Sequence, residues 1–160
     1  MNDIKIIQAD ITDIDTIIKW RMEVLSEVFG ADSVNNVGME ELQHASIEYY
    51  KKNLPKGNHI ACFAQHDNEI VGCGGICFQC ELPSPDNPSG KCAYLMNIYV
   101  RPKFRGRSIG SEIVRWLLQQ AVGKSVTKIY LETSCCGRKM YENLGFVDMK
   151  DMMIYSKIQK

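Results

Sequence analysis

Between Tyr94 and Val114 the chain reads YLMNIYVRPKFRGRSIGSEIV. An apolar run passes into a turn rich in arginine and glycine, and the turn passes into a helical pattern. That order carries chemistry, because the first N–H groups of a helix have no partner within it. Together with the helix dipole they form a site for phosphate. Gly106 lets the backbone come close to a ligand, and Gly110 clears space in the first helical turn. Arg105 and Arg107 add fixed charge and forked donors suited to phosphate oxygens. Ser108 stands where a serine can cap the helix. The segment is therefore read as a pyrophosphate site. It is not a P-loop, because no Gly-Lys-Ser/Thr ending follows, and the GxGxxG of dinucleotide folds is absent.

The elements that must position this turn alternate between strand and helix. Strands are expected at Ile4–Ile7, His59–Gln65, Glu69–Phe78, Cys92–Val100, Thr127–Glu132 and Met152–Lys157. Helices are expected at Ile14–Val28, Met39–Leu54, Ser108–Val122 and Arg138–Leu144. Thr12 or Asp13 can cap the first helix. Asp67-Asn68 reads as a hairpin turn, and residues 81–90, with three prolines, read as a loop. The helix after Ser108 carries Ile109, Ile113, Trp116 and Leu117 along one side. The order predicts an α/β fold with one mixed sheet, and a parallel βαβ unit from Cys92–Val100 to Thr127–Glu132.

The 160 residues fit one domain spanning 1–160. Lysine plus arginine number 19, as do aspartate plus glutamate, a balance that argues against a general nucleic-acid binder. No run approaches 18 apolar residues, so no membrane span is expected, and MNDIKIIQAD lacks the pattern of a secretory signal, so none is expected. Seven cysteines without framework spacing read as reduced thiols in a cytoplasmic protein. Cys77-x-x-Cys80 lacks a second pair and is read as packing rather than metal ligation. Cys135-Cys136 precedes a helix, but no Cys-His pairing accompanies it.

Arg105-Gly106-Arg107-Ser108-Ile109-Gly110, set after a strand, resembles the acetyl-coenzyme A motif of the GNAT superfamily of N-acetyltransferases, Arg/Gln-x-x-Gly-x-Gly/Ala. Ser108 departs from it, standing where the family usually has its first glycine. GRKMYENLGF, residues 137–146, is similar to the family's tyrosine-bearing helix ending in Leu-Gly-Phe. The specific motifs cover residues 94–146, and the element order fits nearly the whole chain.

The resemblance implies a central mixed β-sheet flanked by helices on both faces, and acetyl-CoA as co-substrate. Ile98, Tyr99 and Val100 would lie on the strand that the pantetheine arm extends by strand-like pairing. A backbone N–H there would polarise the thioester carbonyl. Gly106, Arg107, Ser108, Ile109, Gly110 and Ser111 would cradle the pyrophosphate, with Arg105 beside them. Tyr141 matches the tyrosine that protonates the departing thiolate, and its alternative reading is a core aromatic. A base must deprotonate the amine, and Glu132, Glu23, Glu27 or a water chain could serve. The implied activity is acetyl transfer to a primary amine of a small molecule. A protein N-terminus or lysine as acceptor, and a non-catalytic acyl-CoA sensor, stay open, as does a homodimer.

Overall fold

The computed structural model describes residues 4–30 and 38–155. The elements are β1 (Ile4–Ala9), α1 (Ile14–Phe29), α2 (Met39–Asn53), β2 (His59–His66), β3 (Glu69–Cys80), β4 (Lys91–Val100), α3 (Ile109–Gly123), β5 (Lys128–Leu131) and α4 (Cys135–Asn143). Five strands form one sheet in the order β1-β2-β3-β4-β5. The first three pairings are antiparallel. The β4–β5 pairing is parallel, as a crossover through α3 requires.

Alternation along the strands divides the core in two. Ile60, Cys62 and Ala64 of β2 join Ile109, Ile113, Val114, Leu117 and Ala121 of α3 on one face. Ala61 and Phe63 join Ile17, Ile18, Trp20 and Val24 of α1 and Tyr50 of α2 on the other. The fold is thus the expected mixed sheet with helices on both faces.

Glycines in β3 let both layers approach. A Cβ on Gly74 would lie within 2.4 Å of Ile113 in α3, and one on Gly75 within 2.6 Å of the His59 ring on the opposite face. The hairpin between β2 and β3 turns through Asp67 and Asn68, both at positive φ (47° and 64°). That is the left-handed pair that two-residue hairpins demand.

Three expectations need correction. Neither Thr12 nor Asp13 caps α1 through its side chain. Asp10 instead caps a short 3-10 turn ahead of it, accepting from the Thr12 N–H at 2.7 Å while its own N–H donates to Asp13. The fourth helix starts three residues earlier than expected, at Cys135. No strand forms over Met152–Tyr155, and the rest of that expected strand, Ser156 and Lys157, lies outside the described residues. Met152–Tyr155 has the composition of a strand, but it is exposed and pairs with no edge, and an unpaired strand leaves its backbone ladder unmade.

Candidate active site

β4 is paired on both sides along only half its length. Cys92 to Leu95 pair with Lys128 to Leu131 of β5. From Met96 to Val100 the strand pairs with β3 alone, so its other edge offers N–H and C=O groups to a ligand. In the same stretch Met96 faces Gly75 and Tyr99 faces Cys73. One extra residue is accommodated there, a β-bulge centred on Asn97, whose φ is +58°. Side chains lock the bulge. Arg21 of α1 donates from Nη1 to Asn97 Oδ1 at 2.9 Å, and the Cys73 thiol donates to the Asn97 carbonyl at 3.5 Å.

β4 then runs through a 3-10 turn, Pro102–Phe104, into α3. Gly106 has φ +76°, and a Cβ there would meet nothing within 4 Å, so the turn is open to solvent. Ser108 precedes the helix in the left-handed region, φ 62° and ψ 6°, and its side chain makes no capping bond. The expected serine cap is therefore not formed: a capping side chain works from extended backbone, and Ser108 is left-handed. This is the physical reason a glycine suits the position. Ile109 buries its side chain in the core, so only its backbone can face a ligand. Tyr99 likewise packs against Trp20, ring centroids 6.1 Å apart. Gly110 clears space for α4, since a Cβ on it would come within 3.0 Å of Met140 Sδ.

The basic block Arg101–Arg107 is largely compensated. Arg101 makes a two-pronged bond to Glu23 (2.9 Å each) and lies over the Trp20 ring. Lys103 pairs with Glu69. Arg105 donates to Glu27 and to the Val100 carbonyl. Among the described residues, Arg107 alone of the four cations has no ion pair, its guanidinium lying over Phe104. The bond from Arg101 holds Glu23 below the usual carboxylate range. Glu23 and Glu27 are thus engaged as ties between α1 and the β4–α3 turn.

Tyr94, which faces Tyr130 across the β4–β5 pair, lies within electrostatic reach of both Glu132 and Tyr141. Glu132 lies one residue past the strand and is exposed. Burial, and then the neighbouring charge of Glu132, push the Tyr94 hydroxyl above its ordinary range. Tyr141 is buried, edge-on to Phe146 at 5.7 Å. Burial, helped by Tyr94, pushes its pKa up to about 12, so the phenol keeps its proton at neutral pH.

The sequence reading missed Arg21, Asn97 and Tyr94. The first two left a signal: an arginine inside an apolar helix pattern and an asparagine inside an apolar strand, where each is a costly choice unless bonded. Among the described residues no group of three or more cysteine, histidine or acidic side chains is arranged to hold a metal ion. No described helix is long and apolar enough to cross a membrane.

A parallel β4–β5 pair that ends short of a bulge, followed by a turn into a helix start, leaves an open strand edge leading to free helix amides. The chain belongs to the acetyltransferase (GNAT) family, whose sequence model matches residues 18–146. It is 29% identical over 91 residues to thialysine N-epsilon-acetyltransferase of Sus scrofa, covering 44% of this chain and 54% of that protein. The Bos taurus protein of the same name is 31% identical over 65 residues, covering 39% of this chain and 38% of its own length. The matches thus span about half or less of these relatives. In structure the chain is similar to a predicted acetyltransferase of Clostridium acetobutylicum crystallised with acetyl-CoA, with a TM-score of 0.85, 23% identity and 96% of each chain covered. It is also similar to an aminoglycoside N-acetyltransferase in complex with CoA, with a TM-score of 0.73, 15% identity and 99% and 97% coverage.

Proposed function

We propose that the chain transfers the acetyl group of acetyl-CoA directly to a primary amine of a small molecule. The observation that carries this reading is the half-paired β4, with its open edge at Met96–Val100 leading into the free amides at the start of α3. The residues present fit the co-substrate: an open strand edge for an amide-rich arm, and helix amides with Arg107 for a pyrophosphate. The curated relatives, named for an ε-amine of thialysine, favour a small acceptor. The seven free cysteines suit a reducing, cytoplasmic setting.

The co-substrate supplies an activated acetyl group, and the chain's residues do the rest. An N–H of the bulge at Asn97 polarises the carbonyl oxygen. The exposed Glu132 carboxylate, directly or through water, takes a proton from the ammonium so that its nitrogen can attack. As the new C–N bond forms and the C–S bond breaks, Tyr141 passes its proton to the departing sulfur, and the second proton shed by the acylated nitrogen returns through water to the tyrosinate. Tyr141 thus stabilises the transition state far more than it stabilises bound acetyl-CoA.

Replacing Tyr141 by phenylalanine tests the reading, because the ring still fills its place against Phe146. Calorimetry is expected to show unchanged acetyl-CoA affinity, while kcat with an accepted amine falls roughly 10²–10⁴-fold. Near-normal turnover, with chemistry rate-limiting, would remove Tyr141 from the mechanism. Binding of acetyl-CoA by the native protein without thiol release for any amine would make it a sensor instead.

A further inference from the structure

α1 turns three charged side chains toward β4 and the turn that follows it: Arg21, Glu23 and Glu27. The two glutamates each hold an arginine of the β4–α3 turn. Arg21 has no carboxylate partner among the described residues. It donates to Asn97 Oδ1 at 2.9 Å. A guanidinium has five N–H donors in a planar fork, and one such bond leaves most of them unused. The side chain is nevertheless half-buried. A cation partly withdrawn from water calls for an anion.

The surroundings supply neutral groups instead. The Arg21 charge reaches Tyr49, Tyr50, His59 and Cys73, opposing the upward push of burial on the two phenols and the thiol. Tyr49 and His59 are joined through the tyrosine hydroxyl and Nδ1 at 3.1 Å. His59 is held neutral, its pKa lowered to about 4 by burial, so it adds no second charge at neutral pH. A guanidinium without a carboxylate partner among the described residues matches a monoanion of planar geometry. A phosphate, with nearly twice the charge, would call for more than this one cation.

Position decides whose anion it is. Arg21 grips the side chain of the bulge residue, and α1 packs on the sheet face opposite α3. An anion bound there is on the far side of the sheet from the helix start that suits the pyrophosphate.

We propose that Arg21 binds a carboxylate of the acceptor, so that the acceptor is an amino acid or a small amine built like one. This rests on the transferase reading above. Arg21 draws the carboxylate to the bulge from the α1–α2 side, and the amine on the same skeleton reaches the polarised thioester. The bond to Asn97 sets the angle of the guanidinium.

The test uses matched acceptors that differ by one carboxylate: L-lysine with cadaverine, L-ornithine with putrescine, and L-alanine with ethylamine. Thiol release gives kcat and KM for the native protein, Arg21→Gln and Arg21→Lys, and calorimetry gives acetyl-CoA affinity for each. The native protein is expected to prefer the acid in at least one pair. Arg21→Gln lowers kcat/KM for that acid about 10–100-fold more than for its partner, mainly through KM, as loss of a charge-assisted hydrogen bond implies. Arg21→Lys restores part of the preference. An equal loss for both members of the pair would reduce Arg21 to a support of the bulge and overturn the proposal. So would preference for the amine without the carboxylate, or no turnover of any of the six while acetyl-CoA binds. These outcomes leave the transferase reading standing, whereas failure of the native protein to bind acetyl-CoA sinks both.

Discussion

On the face that carries α3, the helix meets the sheet through Ile109, Ile113, Val114, Leu117 and Ala121, all aliphatic and at most 1% exposed. On the face that carries α1 and α2, the contact includes His59, Tyr50, Trp20 and Cys73, with Arg21, Glu23 and Arg101 half inside it. The first face uses contact without direction, which makes a stiff base for the amides at the start of α3. A pyrophosphate common to many acyl donors needs no more than that. The second face uses hydrogen bonds and ion pairs, which hold particular atoms at particular angles. It is the face on which one acceptor can be told from another.

The strongest way to test the contrast is to truncate the aliphatic face. Leu117 is fully buried and lies 3.1 Å from where a Cβ on Gly74 would stand. Leu117→Ala leaves a cavity against a backbone that is already in close contact and has no slack to collapse. The expected loss is about 2–5 kcal/mol, read by urea unfolding. A loss well under that range would mean that the layer relaxes, and the claim of a stiff base would fall.

The polar face should announce itself through pH. His59 is buried and neutral, its pKa lowered from 6.5 to about 4. Below pH 6.5 the unfolded chain takes up a proton that the folded protein refuses, so stability falls as pH falls, until about pH 4. Across that window the loss is on the order of 3 kcal/mol. His59→Leu removes the titrating group, so its stability profile should lie flatter than the native one between pH 6.5 and 4.5. Parallel profiles would show that His59 titrates normally and that this face is wetter than its burial implies.

The same contrast explains what the sequence made legible. The α3 face is written in a period of three to four, so Ile109, Ile113 and Leu117 could be read directly, and with them the helix that presents the phosphate-binding turn. On α1 the pattern was only half informative. Val28 lies at the expected helix end and is 63% exposed, whereas Trp20, whose position a period of three to four does not single out, is 3% exposed. Trp20 is inside because Arg101 stacks on it and Tyr99 meets its edge, contacts that join residues about 80 positions apart. Periodicity cannot see such partners. Glu23 and Glu27 are candidate bases in the sequence for the same reason, since their arginines become visible only once the turn is folded over α1. Tyr141 came from a motif and Glu132 from its place at a strand end, and Tyr94, which lies within electrostatic reach of both, left no such signal.

The smallest expected effect lies where the stiff base meets the ligand turn. Ser108 holds φ 62° and ψ 6°, a left-handed conformation that costs an L-residue roughly 1–2 kcal/mol. Its hydroxyl makes no capping bond, so a substitution forfeits nothing there. Glycine relieves the strain but brings extra freedom to the unfolded chain, a cost of roughly 0.5–1 kcal/mol. The balance favours Ser108→Gly by about 0.5–1 kcal/mol, a rise of roughly 1–4 °C in Tm for a chain of this length. Ser108→Ala keeps the strained backbone and should leave Tm almost unchanged. The pair of variants separates two accounts of the position. If the serine capped the helix, alanine would lose about 1 kcal/mol and glycine a few tenths, and neither would gain. A gain for glycine alone, measured by differential scanning calorimetry, marks Ser108 as a strained residue on an otherwise relaxed face. A loss for both would return it to the role of a cap, and the turn would then depend on a directed bond like those of the opposite face.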